Sequence, residues 1–312
     1  MKRIIPFSEL KKSVDQAYED FKSIKEGEVN PLVEKPEHNV FGLSVCLADG
    51  TEYSKADSDI KSPIGAIGNI AVATLLLEQN GVDKLLEKSG MCRCGCKKNK
   101  PDVCHDCACP RSVRAISALE PTGDSVSKWN FIENRLIDLM GSSPDFNDRL
   151  YQKINNENAR NNAVNAFEES DFYLYDDAAS SLELFAKLQS MNASAKQLAL
   201  MGATIAADGV NPVSNTIVYD GEISARVVAM IASKGMHHSN TPWLVASGLP
   251  ASNSFGGAVL GILPGVMAIA AYSPEVNENG ISVKGAKAII EIMNKLNISV
   301  FGSADIEIDK NK

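Results

Sequence analysis

No apolar run in this sequence is long enough to cross a bilayer. The longest, Ala258 to Tyr272, is interrupted by Pro264-Gly265, and a spanning helix needs roughly 20 residues. An excess of positive charge is also missing. Net charge is −8, with Lys and Arg spread along the chain, which argues against a nucleic-acid surface. The opening MKRIIPFSELKKSVDQAY is basic and then amphipathic, and it lacks the apolar core and cleavage site of a secretory signal. Internal repeats and low-complexity tracts are lacking too. What remains is ordinary globular composition, 44% hydrophobic and 22% charged over 312 residues, enough for one large core or two small domains. These absences predict a soluble cytoplasmic protein in a reducing compartment, where stable disulfides are rare.

Cysteine is the exception to this plainness. Six of the seven fall between Cys92 and Cys109 in "MCRCGCKKNKPDVCHDCACP", residues 91–110. Cys92, Cys94 and Cys96 form C-x-C-x-C, while Cys104, Cys107 and Cys109 form C-x-x-C-x-C around His105. Paired thiolates at that spacing suit a soft ion, so the segment is expected to bind metal. Zinc is favoured over Cu(I) or an iron–sulfur cluster. Flanking Arg93, Lys97, Lys98, Lys100 and Arg111 would lower thiol pKa values and offset thiolate charge. A disulfide-knotted loop and inert surface thiols are the alternatives. Cys46, inside the apolar run FGLSVCL, is expected to be a buried core residue.

Hydrophobic periodicity predicts an amphipathic helix over 8–26 and a hairpin from Val40 to Leu47, returning through Tyr53 after Asp49-Gly50. Pro63 opens a helix ending near Asn80-Gly81. The middle, roughly 82–235, is mostly helical, and "AKQLALMGATIAA" is apolar almost all round, as a central helix would be. Two apolar strands, 256–262 and 266–272, and a helix over 286–296 complete the chain. Strands at both ends around a helical middle predict an α/β (α+β) fold: one antiparallel sheet built from the termini, with an inserted helical subdomain. The expected division is an N-terminal helix over 1–25, a main domain over 26–302 carrying the Cys-rich insertion 91–110, and a C-terminal tail over 303–312.

Three strings carry a family resemblance: "FGLSVCLADGTEYSKADSD", "MGATIAADGVNPVSNTIV" and "GLPASNSFGGAVLGILPGVMAIAAYSPEVNENGISVKGAKAI". In order and content they resemble the serine-dependent glutaminases, whose fold is shared with serine β-lactamases and penicillin-binding transpeptidases. The resemblance runs from about residue 26 to 302. It implies a small amino-acid-like ligand and a homo-oligomer as well as the fold.

Where that family carries Ser-x-x-Lys, this chain has Ala66 and Asn69. Alanine has no nucleophilic atom, and asparagine is no base near neutrality. No other register restores the pair, since Ser62 is followed three positions on by Gly65. By the same resemblance a tyrosine corresponds to Val29, an asparagine to Glu133 and a glutamate to Ile154. Two further tyrosines correspond to Phe185 and His237. The Lys-Ser-Gly of the pocket strand reads Ser252-Asn253-Ser254, and the next residue, whose backbone helps form the oxyanion hole, is Phe255. Arg160-Asn161 keeps the family's Arg-Asn pair, so Asn161 retains a ligand-binding identity.

Candidate ligand contacts are therefore Asn161, Glu133, Asn69, His237, Ser252 and Phe255. The metal ligands expected are the six clustered cysteines, on what the resemblance makes a rim loop. Three readings follow. The favoured one is a non-hydrolytic pseudoenzyme whose metal-bearing loop serves binding or regulation. The second is an enzyme using a metal or thiolate beside the old pocket; the third is a residual glutaminase. Fold does not choose among them.

Overall fold

The computed structural model describes residues 2–36, 38–88, 110–168 and 173–311. The chain opens with β1 (Lys2–Pro6), α1 (Phe7–Phe21) and the short β2 (Glu28–Val29). A hairpin follows, β3 (Gly42–Leu47) and β4 (Glu52–Ala56), and then β5 (Lys61–Pro63). A 3-10 turn, Gly65–Gly68, leads directly into α2 (Asn69–Lys88), which breaks at Gly81 with φ 72°. The helical middle comprises α3 (Pro110–Ser117) and α4 (Ser125–Met140). Next come β6 (Asp145–Phe146), α5 (Asp148–Ile154), α6 (Glu157–Glu168) and α7 (Ala178–Gln189). Then β7 (Met191–Ser194) precedes α8 (Ala195–Ala206).

A small ribbon, β8 (Val210–Asn211) with β9 (Thr216–Ile217), precedes α9 (Glu222–Lys234) and α10 (Asn240–Ser247). The chain finishes with β10 (Ala251–Asn253), β11 (Ala258–Leu263), β12 (Met267–Tyr272) and β13 (Glu275–Val276). After these come α11 (Val283–Leu296) and β14 (Asp305–Asp309).

The main sheet has the order β10-β11-β12-β3-β4 and is antiparallel throughout. Both chain ends contribute to it, as expected. Side chains alternate across it: Leu43, Val45, Val259 and Ile269 face α1 and α11, while Cys46, Leu260, Ile262 and Ala268 face the helical middle. Both faces are covered, so β3, β11 and β12 are buried along their whole length. The apolar α8 lies against this sheet, and a Cβ at Gly202 would sit 2.5 Å from the Ala268 Cβ, so glycine sets the close approach. Ser194 and Gln197 close a capping box at its start.

Several boundaries differ from expectation. Pro63, expected to open a helix, ends β5, and α2 begins at Asn69 after the 3-10 turn. The first helix ends at Phe21 rather than residue 26, and Gly27, at φ 93°, turns the chain into β2. The C-terminal residues expected as a tail form β14, paired in parallel with β1 from Lys2↔Asp305 to Pro6↔Asp309. Among the described residues no helix is long and apolar enough to cross a membrane.

Candidate active site

The site is built around the 3-10 turn Gly65–Gly68, which β5 delivers from its pairing with β7 (Ser62↔Ala193, Pro63↔Asn192). Gly65 has φ 50°, and a Cβ there would lie 2.7 Å from Ser254 Oγ and 3.1 Å from Phe255 Cδ1. The turn is thus pressed onto the chain leaving β10, and only glycine tolerates both that conformation and that contact. Ser254 Oγ donates to the Pro63 carbonyl and accepts from the Gly256 N–H. From the other side, Gln189 Nε2 on α7 donates to the Gly65 carbonyl at 3.2 Å. Three separate elements therefore fix one short turn.

Ala66 and Asn69 lie at the start and end of this turn. The first intraturn bond runs from the Ile67 N–H to the Ile64 carbonyl, leaving the Gly65 and Ala66 N–H groups as leading donors without a helical partner. The Phe255 N–H has no hydrogen-bond partner among the described residues, whereas its neighbours bond to Ala258 O and Ser254 Oγ. Asn69 is half-buried, and its Oδ1 is a buried acceptor with no partner. Such an atom marks a place for a water or a ligand donor. Ser62 Oγ is likewise buried and unpaired.

The other candidates scatter. Ile154 and Phe255 share one cluster: Leu150, Ile154 and Ala186 form a small apolar group against which Leu32, Tyr151 and Phe255 pack. Phe185, next to Ala186 on α7, is buried in the main core. Ser252 is buried on β10. Val29 is half-buried in β2, opposite Glu275, and Glu133 is half-buried on α4. Asn161 is exposed on α6. His237 is exposed at φ 50°, just after Gly235, where a Cβ would lie 2.0 Å from the Ala251 carbonyl oxygen. Although the residue as a whole is exposed, local desolvation of its ring, with the positive charges of His238 and Arg111, lowers its pKa from the usual histidine value.

Sequence reading did not single out Gly65 or Gln189, and it took Ser254 only as part of a replaced triplet. The signal available was a glycine before the first helix and a polar residue closing an apolar one. Neither is distinctive without the fold.

The six clustered cysteines, Cys92, Cys94, Cys96, Cys104, Cys107 and Cys109, lie outside the described residues. Among the described residues no group of His, Cys, Asp and Glu could hold a metal ion. Cys46 is buried as expected, and burial pushes its thiol up to about 12, so it is inert near neutrality.

Comparison with known proteins gives one answer. The Glutaminase family model matches residues 27–301. A protein named Glutaminase from Parabacteroides distasonis is 33% identical, with 99% of both chains covered, and one from Bacteroides fragilis is 34% identical at the same coverage. A solved structure titled as the probable glutaminase ybaS superposes with a TM-score of 0.85 at 25% identity, covering 96% of this chain and all of that one.

These findings overturn the favoured sequence reading of a metal-bearing pseudoenzyme. Relatives a third identical from end to end carry the name Glutaminase, and among the described residues no metal site is present. The physical reason is that the sequence reading weighed side chains alone. Substitution at 66, 69 or 255 changes a side chain and leaves the backbone N–H groups of the turn and strand in place. By model match and by full-length identity, the chain belongs to the glutaminase family.

Proposed function

We propose that this protein is a glutaminase, hydrolysing the side-chain carboxamide of glutamine to a carboxylate and ammonia. The observation that carries the reading is 33–34% identity over the full length to proteins named Glutaminase.

Amide hydrolysis needs an oxygen to attack, a place for its proton, and donors for the carbonyl oxygen as it becomes negative. The N–H groups of Ala66 and Phe255 belong to two stretches that meet at Gly65. Together they are the donors that would polarise the substrate carbonyl. Ala66 cannot attack, so the attacking oxygen is a water, and the unpaired Asn69 Oδ1 is the acceptor that would hold it.

Ammonia release from L-glutamine tests this, read against the Phe255→Pro variant, which deletes one donor. Loss of one such donor costs roughly 100- to 1000-fold in rate. Wild-type protein is expected to release ammonia above a heat-inactivated control, and the variant, folded by circular dichroism, to lose most of that activity. No release from wild-type protein would overturn the reading.

A further inference from the structure

Phe255 stands in a tight turn. The Ser254 N–H donates to the Ala258 carbonyl at 2.8 Å, and the Gly257 N–H donates to the Ser254 carbonyl at 3.0 Å. On one side this turn meets Gly65. On the other it is pressed onto Ser273, whose N–H donates to the Gly257 carbonyl at 3.1 Å. A Cβ at Gly257, φ 95°, would lie 2.1 Å from the Ser273 carbonyl oxygen. The place of Ser273 therefore sets the place of the turn on this side.

Ser273 is fully buried and gripped twice. Ser282 Oγ, at the N-cap of α11, donates to its carbonyl at 3.0 Å. Its own hydroxyl donates to Glu275 Oε2 at 2.6 Å. That same oxygen meets the Lys284 ammonium at 3.0 Å, and Lys284 Nζ also donates to Asn39 Oδ1. The Lys284 side chain is 0% exposed and that of Glu275 22%. Burial alone would raise the Glu275 carboxyl, but the Ser273 hydroxyl and the Lys284 ammonium outweigh it and hold its pKa below the usual value. A buried pair of this kind adds little stability over well-packed apolar residues of the same size. What apolar residues cannot supply is direction: two charge-assisted bonds converge on one carboxylate oxygen and fix the Ser273 hydroxyl.

We propose that Glu275 and Lys284 are positioning residues: through Ser273 they hold the 254–257 turn, and with it the Phe255 N–H, against the Gly65–Gly68 turn. The clamp itself stands on geometry, while its bearing on catalysis rests on the glutaminase reading above.

Three variants test it. Ser273→Ala removes the hydroxyl link and leaves the ion pair. Glu275→Leu combined with Lys284→Met removes the pair without stranding a charge. Glu275→Gln keeps an acceptor oxygen for Ser273. Hydrogen exchange of the Gly257 and Ser273 amides, referenced to the amides of β3, reads the clamp without turnover. Ammonia release from L-glutamine, per protein folded by circular dichroism, reads catalysis. The double variant should speed exchange at both amides and lower kcat about tenfold with KM unchanged, part of the roughly 100- to 1000-fold that loss of a whole donor costs. Ser273→Ala should move both readings the same way, and Glu275→Gln should recover most of the loss. If the double variant does not fold, Ser273→Ala decides by the same two readings. Unchanged exchange would overturn the clamp. Faster exchange with kcat unchanged would leave the pair a structural role only and overturn the proposal. Faster exchange in a protein whose wild type releases no ammonia would sustain the clamp while sinking the glutaminase reading.

Discussion

Lys128 is 1% exposed by side chain, and its ammonium meets Asp176, 12% exposed, at 2.6 Å. Lys128 also donates to the Ser117 carbonyl at 2.9 Å, and Asp176 accepts the Gly123 N–H at 2.9 Å. The pair therefore joins α4, the end of α3 and the segment before α7, the frame behind the site. Asp176→Ala strands an ammonium with a single carbonyl, and breaking a buried pair this way costs about 3–5 kcal/mol. Lys128→Met leaves a carboxylate that water can reach and that keeps its backbone donors, so it should cost less, about 1–3 kcal/mol. The double variant should recover part of the larger loss, since no charge is left unpaired. Burial alone would raise the Asp176 carboxyl, but the Lys128 ammonium and the Gly123 and Asp177 N–H groups outweigh it and hold the pKa below the usual value. The folded pKa is depressed, so this stability is present above the unfolded carboxyl value, about 3.9, and fades as pH falls through the folded value. Urea unfolding of the four proteins at pH 7, and of wild type and Asp176→Ala down to pH 3, would measure both effects. A larger loss for Lys128→Met than for Asp176→Ala, or no convergence of the two curves in acid, would refute the reasoning.

Gly235→Ala should lower thermal stability sharply, because the new Cβ falls 2.0 Å from the Ala251 carbonyl oxygen; a thermal midpoint equal to wild type would contradict the packing of α9 on β10. Ser62→Ala removes a buried hydroxyl without a partner, so stability should hold or rise slightly. Its ammonia release should stay within about twofold of wild type if water is the attacking oxygen, and a larger fall would move the nucleophile to Ser62. We also propose that the chain forms a homo-oligomer; light scattering at micromolar concentration should give a multiple of 33.5 kDa, and a clean monomer would rule that out.

The legible parts of this fold are those where local pattern and tertiary role coincide. The run FGLSVCLADGTEY has the apolar content of a strand buried on both faces, a turn pair, and a more polar return strand, and it forms β3 and β4. "AKQLALMGATIAA" is apolar all round because α8 lies between the sheet and the helical middle. β1 and β14 were not legible. Each is a five-residue segment whose pairing is parallel and joins opposite ends of the chain, so neither turn chemistry nor alternation announces it. The small cluster around Ile154 escaped for the same reason: Ile154 and Phe255 could be noted one at a time, but they share it only because α5, α7 and the chain leaving β10 come together.

That shared cluster changes how the substitutions are weighed. Taken singly, an isoleucine where the resemblance implies a glutamate and a phenylalanine where it implies a small residue read as two losses, and adding Ala66 and Asn69 makes four. Taken together, Ile154 and Phe255 add apolar surface to one cluster with Leu150 and Ala186, which offsets part of what the polar groups would have supplied. The turn meanwhile keeps Gly65 at positive φ, the Gln189 bond to its carbonyl and the Ser254 bond to Pro63, all of which aim backbone rather than side chain. The backbone of the turn is therefore held by contacts that substitutions at 66 and 69 do not remove.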